Sequence, residues 1–177
     1  GMFFAEEILY LWTANNDLAK NSSTILVFLL LGNLLNTFVH MPGRLQIANG
    51  VTKVGFVINI ISLFFVIPLL LYSVPKYGVN GAIFTWVLLN SIYLLIGVHF
   101  NFRKILEEEK NAWYFRDLFL PVLVGTLICY LFYIVKPSNY RYLENILYLG
   151  LSYLIVFVSI LLASNKLNIY VLKYFRN

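Results

Sequence analysis

Lys76-Tyr77-Gly78-Val79-Asn80-Gly81-Ala82 separates two apolar runs, Val54 to Val74 and Ala82 to Phe100, neither of which carries a charge. Each run reaches the roughly 20 residues with which an α-helix crosses about 30 Å of hydrocarbon. Gly78 and Gly81 supply a tight turn and permit the second helix to approach the first closely. With the polar loop Gln46-Ile47-Ala48-Asn49-Gly50-Val51-Thr52-Lys53 before it, the stretch from Leu45 to Asn101 therefore reads as a transmembrane hairpin. Composition extends this reading to the whole chain. With 60% apolar residues, 12% charged residues and a mean hydropathy of +0.79, there is too little polar surface to cover a soluble globule.

Upstream of the hairpin, Gly1 to Glu7 lacks the basic region and small-residue cleavage site of a signal peptide, and two carboxylates, Glu6 and Glu7, end its apolar character. It reads as the tail of a helix begun earlier in a longer protein. Ile8 to Trp12 suits a membrane interface, Thr13 to Asp17 suits a turn, and Asn21, Ser22 or Ser23 is expected to cap the next helix. The first complete span, about Thr24 to Met41, carries Asn33, Asn36, Thr37 and His40 at i, i+3, i+4 and i+7, one polar stripe. Arg44 lengthens that stripe by a turn if the helix continues past Pro42. Unsatisfied amides in hydrocarbon cost several kcal/mol, so the stripe must meet protein or water. It is either the wall of a polar cavity or the glue of a helix bundle.

Pro42-Gly43 is expected to break the helix, leaving Arg44 to Lys53 as a surface connection. In the hairpin, Asn59 and Ser62 are the main polar feature of the first helix, Pro68 is expected to kink it, and Pro75 to close it. Asn90, Tyr93 and Gly97 fall on one face of the second helix. Asn101 to Asp117 is the hydrophilic segment and reads as a solvated linker. Its Glu107, Glu108 and Glu109 are consecutive, so on a helix they diverge by about 100° each and make a poor metal cage. Two further spans follow, about Leu118 to Val135 and Ile146 to Ser164, joined by a loop with Lys136, Pro137 and Arg141; a basic-apolar tail ends the chain. The expected class is all-α, a polytopic helical bundle with about five complete transmembrane helices. Its segments are 1–22 (helix end and outer loop), 23–101 (three spans), 102–117 (linker), 118–165 (two spans) and 166–177 (tail).

The basic residues set the orientation. Nine of them (Arg44, Lys53, Arg103, Lys104, Lys110, Arg116, Lys166, Lys173 and Arg176) collect on one side of the spans and four (Lys20, Lys76, Lys136 and Arg141) on the other, placing the C-terminus in the cytoplasm. The net charge of +5 forms no basic cluster interleaved with aromatics, so nucleic acid is not an expected partner. No Ser-His-Asp, paired-acid, zinc or P-loop spacing is present, no catalytic residue, cofactor or metal is assigned, and the chain is not read as an enzyme. Cys129, the single cysteine, lies within an apolar run and reads as a small lipid- or core-facing residue.

The order Glu7-Ile8-Leu9-Tyr10-Leu11-Trp12-Thr13, an apolar helix, Leu45 to Lys53, Asn59 with Ile67-Pro68-Leu69, Tyr77-Gly78-Val79-Asn80-Gly81-Ala82, then Trp86, Asn90 and Tyr93 resembles the C-terminal half of Wzx-type flippases. These O-antigen and exopolysaccharide flippases belong to the superfamily that includes lipid II flippases and multidrug and toxic compound extrusion transporters. The resemblance covers about residues 5 to 120, and the last two spans match by pattern alone. It implies one half of a two-bundle fold around an alternately opening cavity in the bacterial inner membrane. The implied cargo is an undecaprenyl-diphosphate-linked oligosaccharide, with membrane lipids and a missing N-terminal bundle as partners. Asn33, Asn36, His40, Arg44, Asn59 and Asn90 are the candidate cavity-lining residues: amides for sugar hydroxyls, Arg44 for the diphosphate. Of these, Asn59 and Asn90 alone lie in the matching motifs.

Other readings stay open. They are a related exporter of small molecules, a non-transporting helical subunit or scaffold, or a membrane glycosyl- or phosphotransferase using Asp117 or Glu107 to Glu109. The chain is expected to be a piece of a longer protein, or else a short product that pairs with another chain.

Overall fold

The structure, a computed structural model, describes residues 1–50, 52–99, 111, 113–136 and 142–163, and these are helical with no strand among them. Five helices are long and apolar enough to cross a membrane: Asn16–His40, Gly55–Tyr77, Val79–Gly97, Trp113–Val135 and Glu144–Leu162. The chain is thus an all-α polytopic membrane protein. Large apolar side chains such as Phe64, Phe65 and Leu71 stand exposed on the spans, as hydrocarbon contact allows. The chain falls into two compact units, residues 1–110 and 111–177.

In the first unit a short 3-10 turn, Met2–Phe4, leads into α1, Ala5–Thr13. Ala14 ends α1 in the left-handed conformation (φ 52°) and its N–H donates to the Tyr10 carbonyl at 2.8 Å. Asn15 then starts α2, Asn16–Ala48. Its Oδ1 accepts from the Leu18 N–H at 3.1 Å, a side-chain cap that begins the helix about two turns before Asn21, Ser22 and Ser23. The helix that the sequence starts near Thr24 is therefore longer at this end.

It is longer at the other end as well. α2 continues through Pro42-Gly43, contrary to the expected break. A proline within a helix forfeits one backbone bond, whereas stopping there leaves up to about four carbonyls without helical partners near the membrane face. A Cβ on Gly43 would meet nothing within 4 Å, so no neighbour forces the chain to turn.

α3, Thr52–Tyr77, contains both Pro68 and Pro75. Pro75 does not close it. The Gly78 N–H donates to the Val74 carbonyl at 2.8 Å and carries the helix to Tyr77. α4, Val79–Ile92, follows after Gly78 alone, and runs on through a π-helical turn, Tyr93–Gly97. Gly78 has φ +58°, which glycine adopts without a Cβ penalty. α4 packs against both α2 and α3, while α2 and α3 scarcely touch. Accordingly, Ile83, Thr85, Asn90 and Val98 form much of the small buried core of this unit, with Phe4, Ala5, Leu9 and Ala19 where α1 meets α2.

The second unit is an antiparallel pair. A π-helical turn, Trp113–Phe119, enters α5, Leu120–Val135, and α6 is Tyr142–Ala163. Tyr148 donates its hydroxyl to the Phe132 carbonyl, and the two rings meet edge-to-face at 5.9 Å. A turn or two away Gly125 faces Val156 and Ile160, whose side chains occupy the space a Cβ would take. Glu107 to Glu109, the Pro137 and Arg141 loop and the C-terminal tail lie outside the described residues.

Candidate functional site

The polar stripe of α2 survives intact and gains its extra turn. Because the helix passes Pro42, Asn33, Thr37, His40 and Arg44 stand exposed along one line, with Asn36 half-buried beside them. Thr37 returns its hydroxyl to the Asn33 carbonyl at 2.9 Å. One residue before Asn33 and one turn before Asn36, α2 packs against α4: a Cβ on Gly32 would come within 2.4 Å of Trp86 Cδ1. The packed strip thus runs along the edge of the polar stripe beside the half-buried Asn36, while Asn33, Thr37, His40 and Arg44 stay exposed. A stripe of amide, hydroxyl, imidazole and guanidinium groups on a membrane-depth face is costly to leave in hydrocarbon.

Asn59 and Asn90, both placed with this stripe by the sequence, have different surroundings from it and from each other. Asn59 is exposed on α3, and its Oδ1 accepts a 2.9 Å hydrogen bond from the Tyr93 hydroxyl on the π turn. Asn90 is 1% exposed, and its Nδ2 donates to the Trp86 carbonyl one turn back at 2.8 Å. Buried against its own helix, Asn90 presents no open polar surface within this unit. The six candidates therefore fall into three groups: an exposed line of Asn33, His40 and Arg44 with half-buried Asn36 at its edge, an exposed cross-helix pair at Asn59, and a packing amide at Asn90.

A further polar cluster joins α3 to α4. Ser73 Oγ donates to the Gly81 carbonyl at 3.2 Å and lies 3.2 Å from Thr85 Oγ1, while Thr85 Oγ1 donates to the same carbonyl at 2.9 Å. All three residues are buried. Ser73 carried no signal in the sequence, because one serine eight residues before a glycine across a turn has no recognisable period. Trp86 Nε1 is buried with no hydrogen-bond partner among the described residues, at the contact with Gly32.

Chemically, the exposed line offers neutral hydrogen-bonding groups and one fixed cation, a set suited to a hydroxyl-rich, anionic solute. It offers no nucleophile–base pair. Among the described residues no three His, Cys, Asp or Glu side chains come together in a metal-binding group. Asp117 pairs with Arg116 at 3.6 Å, both partly exposed. Compared with protein-family models, curated proteins and solved structures, the chain matches none.

Proposed function

We propose that this chain supplies one wall of the polar cavity of a flippase that turns undecaprenyl-diphosphate-linked oligosaccharides from the cytoplasmic to the periplasmic leaflet of a bacterial inner membrane. The observation that carries the reading is the exposed line Asn33, Thr37, His40 and Arg44 on a membrane-crossing helix that packs against α4 along an adjoining face. Such a line needs a watery cavity or a second polar wall opposite it. Amides can exchange hydrogen bonds with sugar hydroxyls as the head group passes, and without fixed charge they hold it weakly enough to let it go. Arg44, at the end of the line, is placed to attract the diphosphate. The partner is a second helical bundle, which closes the cavity from the other side.

The test is complementation. This chain, expressed together with the second bundle that closes its cavity in a strain lacking its own polysaccharide flippase, should restore surface polysaccharide, and Asn33→Leu with Arg44→Gln should abolish the rescue while leaving the protein level unchanged. No rescue at normal expression overturns the reading.

The second reading, a non-transporting helical scaffold, is favoured by the Ser73–Gly81–Thr85 cluster and by Asn90, polar groups used for helix packing. Under it the Asn33 and Arg44 substitutions are harmless.

A further inference from the structure

α4 does not end in regular α-helix. The Tyr93 N–H still donates to the Leu89 carbonyl, four residues back, but the Val98 N–H donates to the Tyr93 carbonyl, five residues back. Tyr93–Gly97 is thus one π turn, after which Val98 and His99 are α-helical again. A π turn inside an α-helix holds one residue in excess and is frequent at functional sites. If the turn tightens to α-helix, each residue beyond it advances by about 100°, the angle between neighbours. Val98 then takes the direction that His99 has now, Gly97 takes that of Val98, and Ile96 takes that of Gly97.

The surroundings of the turn have room for that exchange. Gly97 is buried, yet a Cβ on it would meet nothing nearer than Ile58 Cδ1 at 3.9 Å and Tyr93 Cδ1 at 4.0 Å, both ordinary contact distances. The α3 and α4 backbones, pressed together at Ser73 and Gly81, leave a wedge of about 360 Å³ that Ile58, Leu89, Ile92, Ile96 and Gly97 help to line. A side chain can enter the wedge at the place of Gly97, and Ile96, 50% exposed in the π form, is the one that tightening brings there. In return Val98, 0% exposed, yields its packed place to Gly97 and moves to the partly exposed place of His99. One β-branched side chain enters the packing as another leaves it, which keeps the two forms close in energy, as a two-state element requires. Tyr93 decides between them. Its ring lies beside Gly97, where Ile96 would enter, and its hydroxyl is tied to Asn59 Oδ1 of α3 at 2.9 Å.

We infer that Tyr93–Gly97 is a two-state joint. Its π form is latched by the Tyr93–Asn59 hydrogen bond; its α form is reached when that bond opens, Ile96 enters the wedge, and the end of the helix turns to bring Val98 out. The joint belongs to the hairpin itself and is independent of any transported cargo. It occupies the last residues of the Val79–Gly97 span, so the turning is delivered where the helix leaves the membrane.

The test uses the full chain with Val98→Cys and with its one native cysteine removed by Cys129→Ser, held in lipid nanodiscs that leave both membrane faces open to solvent. A water-soluble maleimide should label it slowly, and Tyr93→Phe should speed labelling about threefold, the shift that one interhelical hydrogen bond of average strength supplies. Asn59→Leu opens the same bond from α3 and should act alike; it replaces Tyr93→Phe if that variant lowers the folded yield. Deleting the exposed Leu95 removes the residue held in excess, so the turn becomes α-helical while Val98 keeps its buried direction. The deleted chain should fold, and in it Tyr93→Phe should no longer speed labelling. Deleting the equally exposed Phe84 from regular α-helix should instead ruin the fold, because it turns Thr85 and Asn90 away from their places relative to Gly81. Unchanged labelling in both bond-opening variants, fast labelling that persists without Leu95, or a Leu95 deletion as damaging as that of Phe84 would each overturn the inference.

Discussion

Ser73 and Gly81 are in backbone-to-backbone contact: a Cβ on Gly81 would stand 2.3 Å from the Ser73 carbonyl oxygen and 2.6 Å from its carbon. No side-chain movement relieves that contact, because both atoms belong to the main chain. Gly81→Ala should therefore force the hairpin apart and lower stability by about 1–3 kcal/mol, the usual cost of overpacking. Unfolding of the purified protein in a mixed detergent titration is the check, and an unshifted midpoint would mean that α3 and α4 are not pressed together at the turn.

The glycines are not equivalent, and the difference is measurable. A Cβ on Gly32 meets the Trp86 ring at 2.4 Å; one on Gly125 meets the end of the Ile160 side chain at 2.9 Å, a methyl that can rotate away; one on Gly150 meets nothing within 4 Å. Alanine substitution should cost most at Gly32 and little at Gly125. At Gly150 it should be neutral or add up to about 1 kcal/mol through helix propensity. Thermal-shift measurements on the three variants should return that order.

Ser73 and Thr85 share the Gly81 carbonyl, so their contributions should not add. In a double-mutant cycle of Ser73→Ala with Thr85→Val, a coupling of about 0.6 kcal/mol is expected, the average found for hydrogen bonds between membrane helices. A coupling of zero would show the two hydroxyls acting separately.

Asn33 and Asn90 should respond in opposite ways. Asn90 is buried and bonded to its own helix, so Asn90→Leu disturbs packing against α2 or α3 and should reduce the amount of folded protein. Asn33 is exposed on α2, so Asn33→Leu should leave the folded yield unchanged and be felt only in function. Yield measured by size-exclusion fluorescence, set beside complementation, separates the two. Equal losses of yield at both positions would place Asn33 in a packed interface.

Much of the fold was legible because bilayer thickness imposes a simple rule on sequence. The uncharged runs from Val54 and from Ala82 could be nothing but spans, and the glycines between them could be nothing but a turn. The helix ends were less legible because they depend on local competition. Pro42-Gly43 looks like a stop, yet α2 continues, since losing one backbone bond is cheaper than exposing the end of a helix near a membrane face. The cap moved from Asn21 to Asn15 because the left-handed Ala14 sets the chain's direction before the serines are reached. The stripe from Asn33 to Arg44 followed from period alone. Asn90 had the same signal and a different placement, because period gives the face of a helix but not which neighbour covers it. Ser73 and the α3–α4 wedge had no sequence signal, since each arises from how far two backbones stand apart.

The single-residue link at Gly78 bears on how the protein enters its membrane. With α3 ending at Tyr77 and α4 starting at Val79, there is no hydrated loop that could wait at the surface while one helix inserts and the other is still being made. The Gly78 N–H already belongs to α3, through Val74, and the Gly78 carbonyl already accepts from Gly81 of α4. The two spans are thus covalently and hydrogen-bonded into one insertion unit of more than forty residues. Until α4 has emerged from the ribosome, α3 lacks the partner for Ser73 and for most of its packed face within this unit. A translational pause just after Gly78 is therefore expected to strand a helix whose neighbour is the next one to be synthesised.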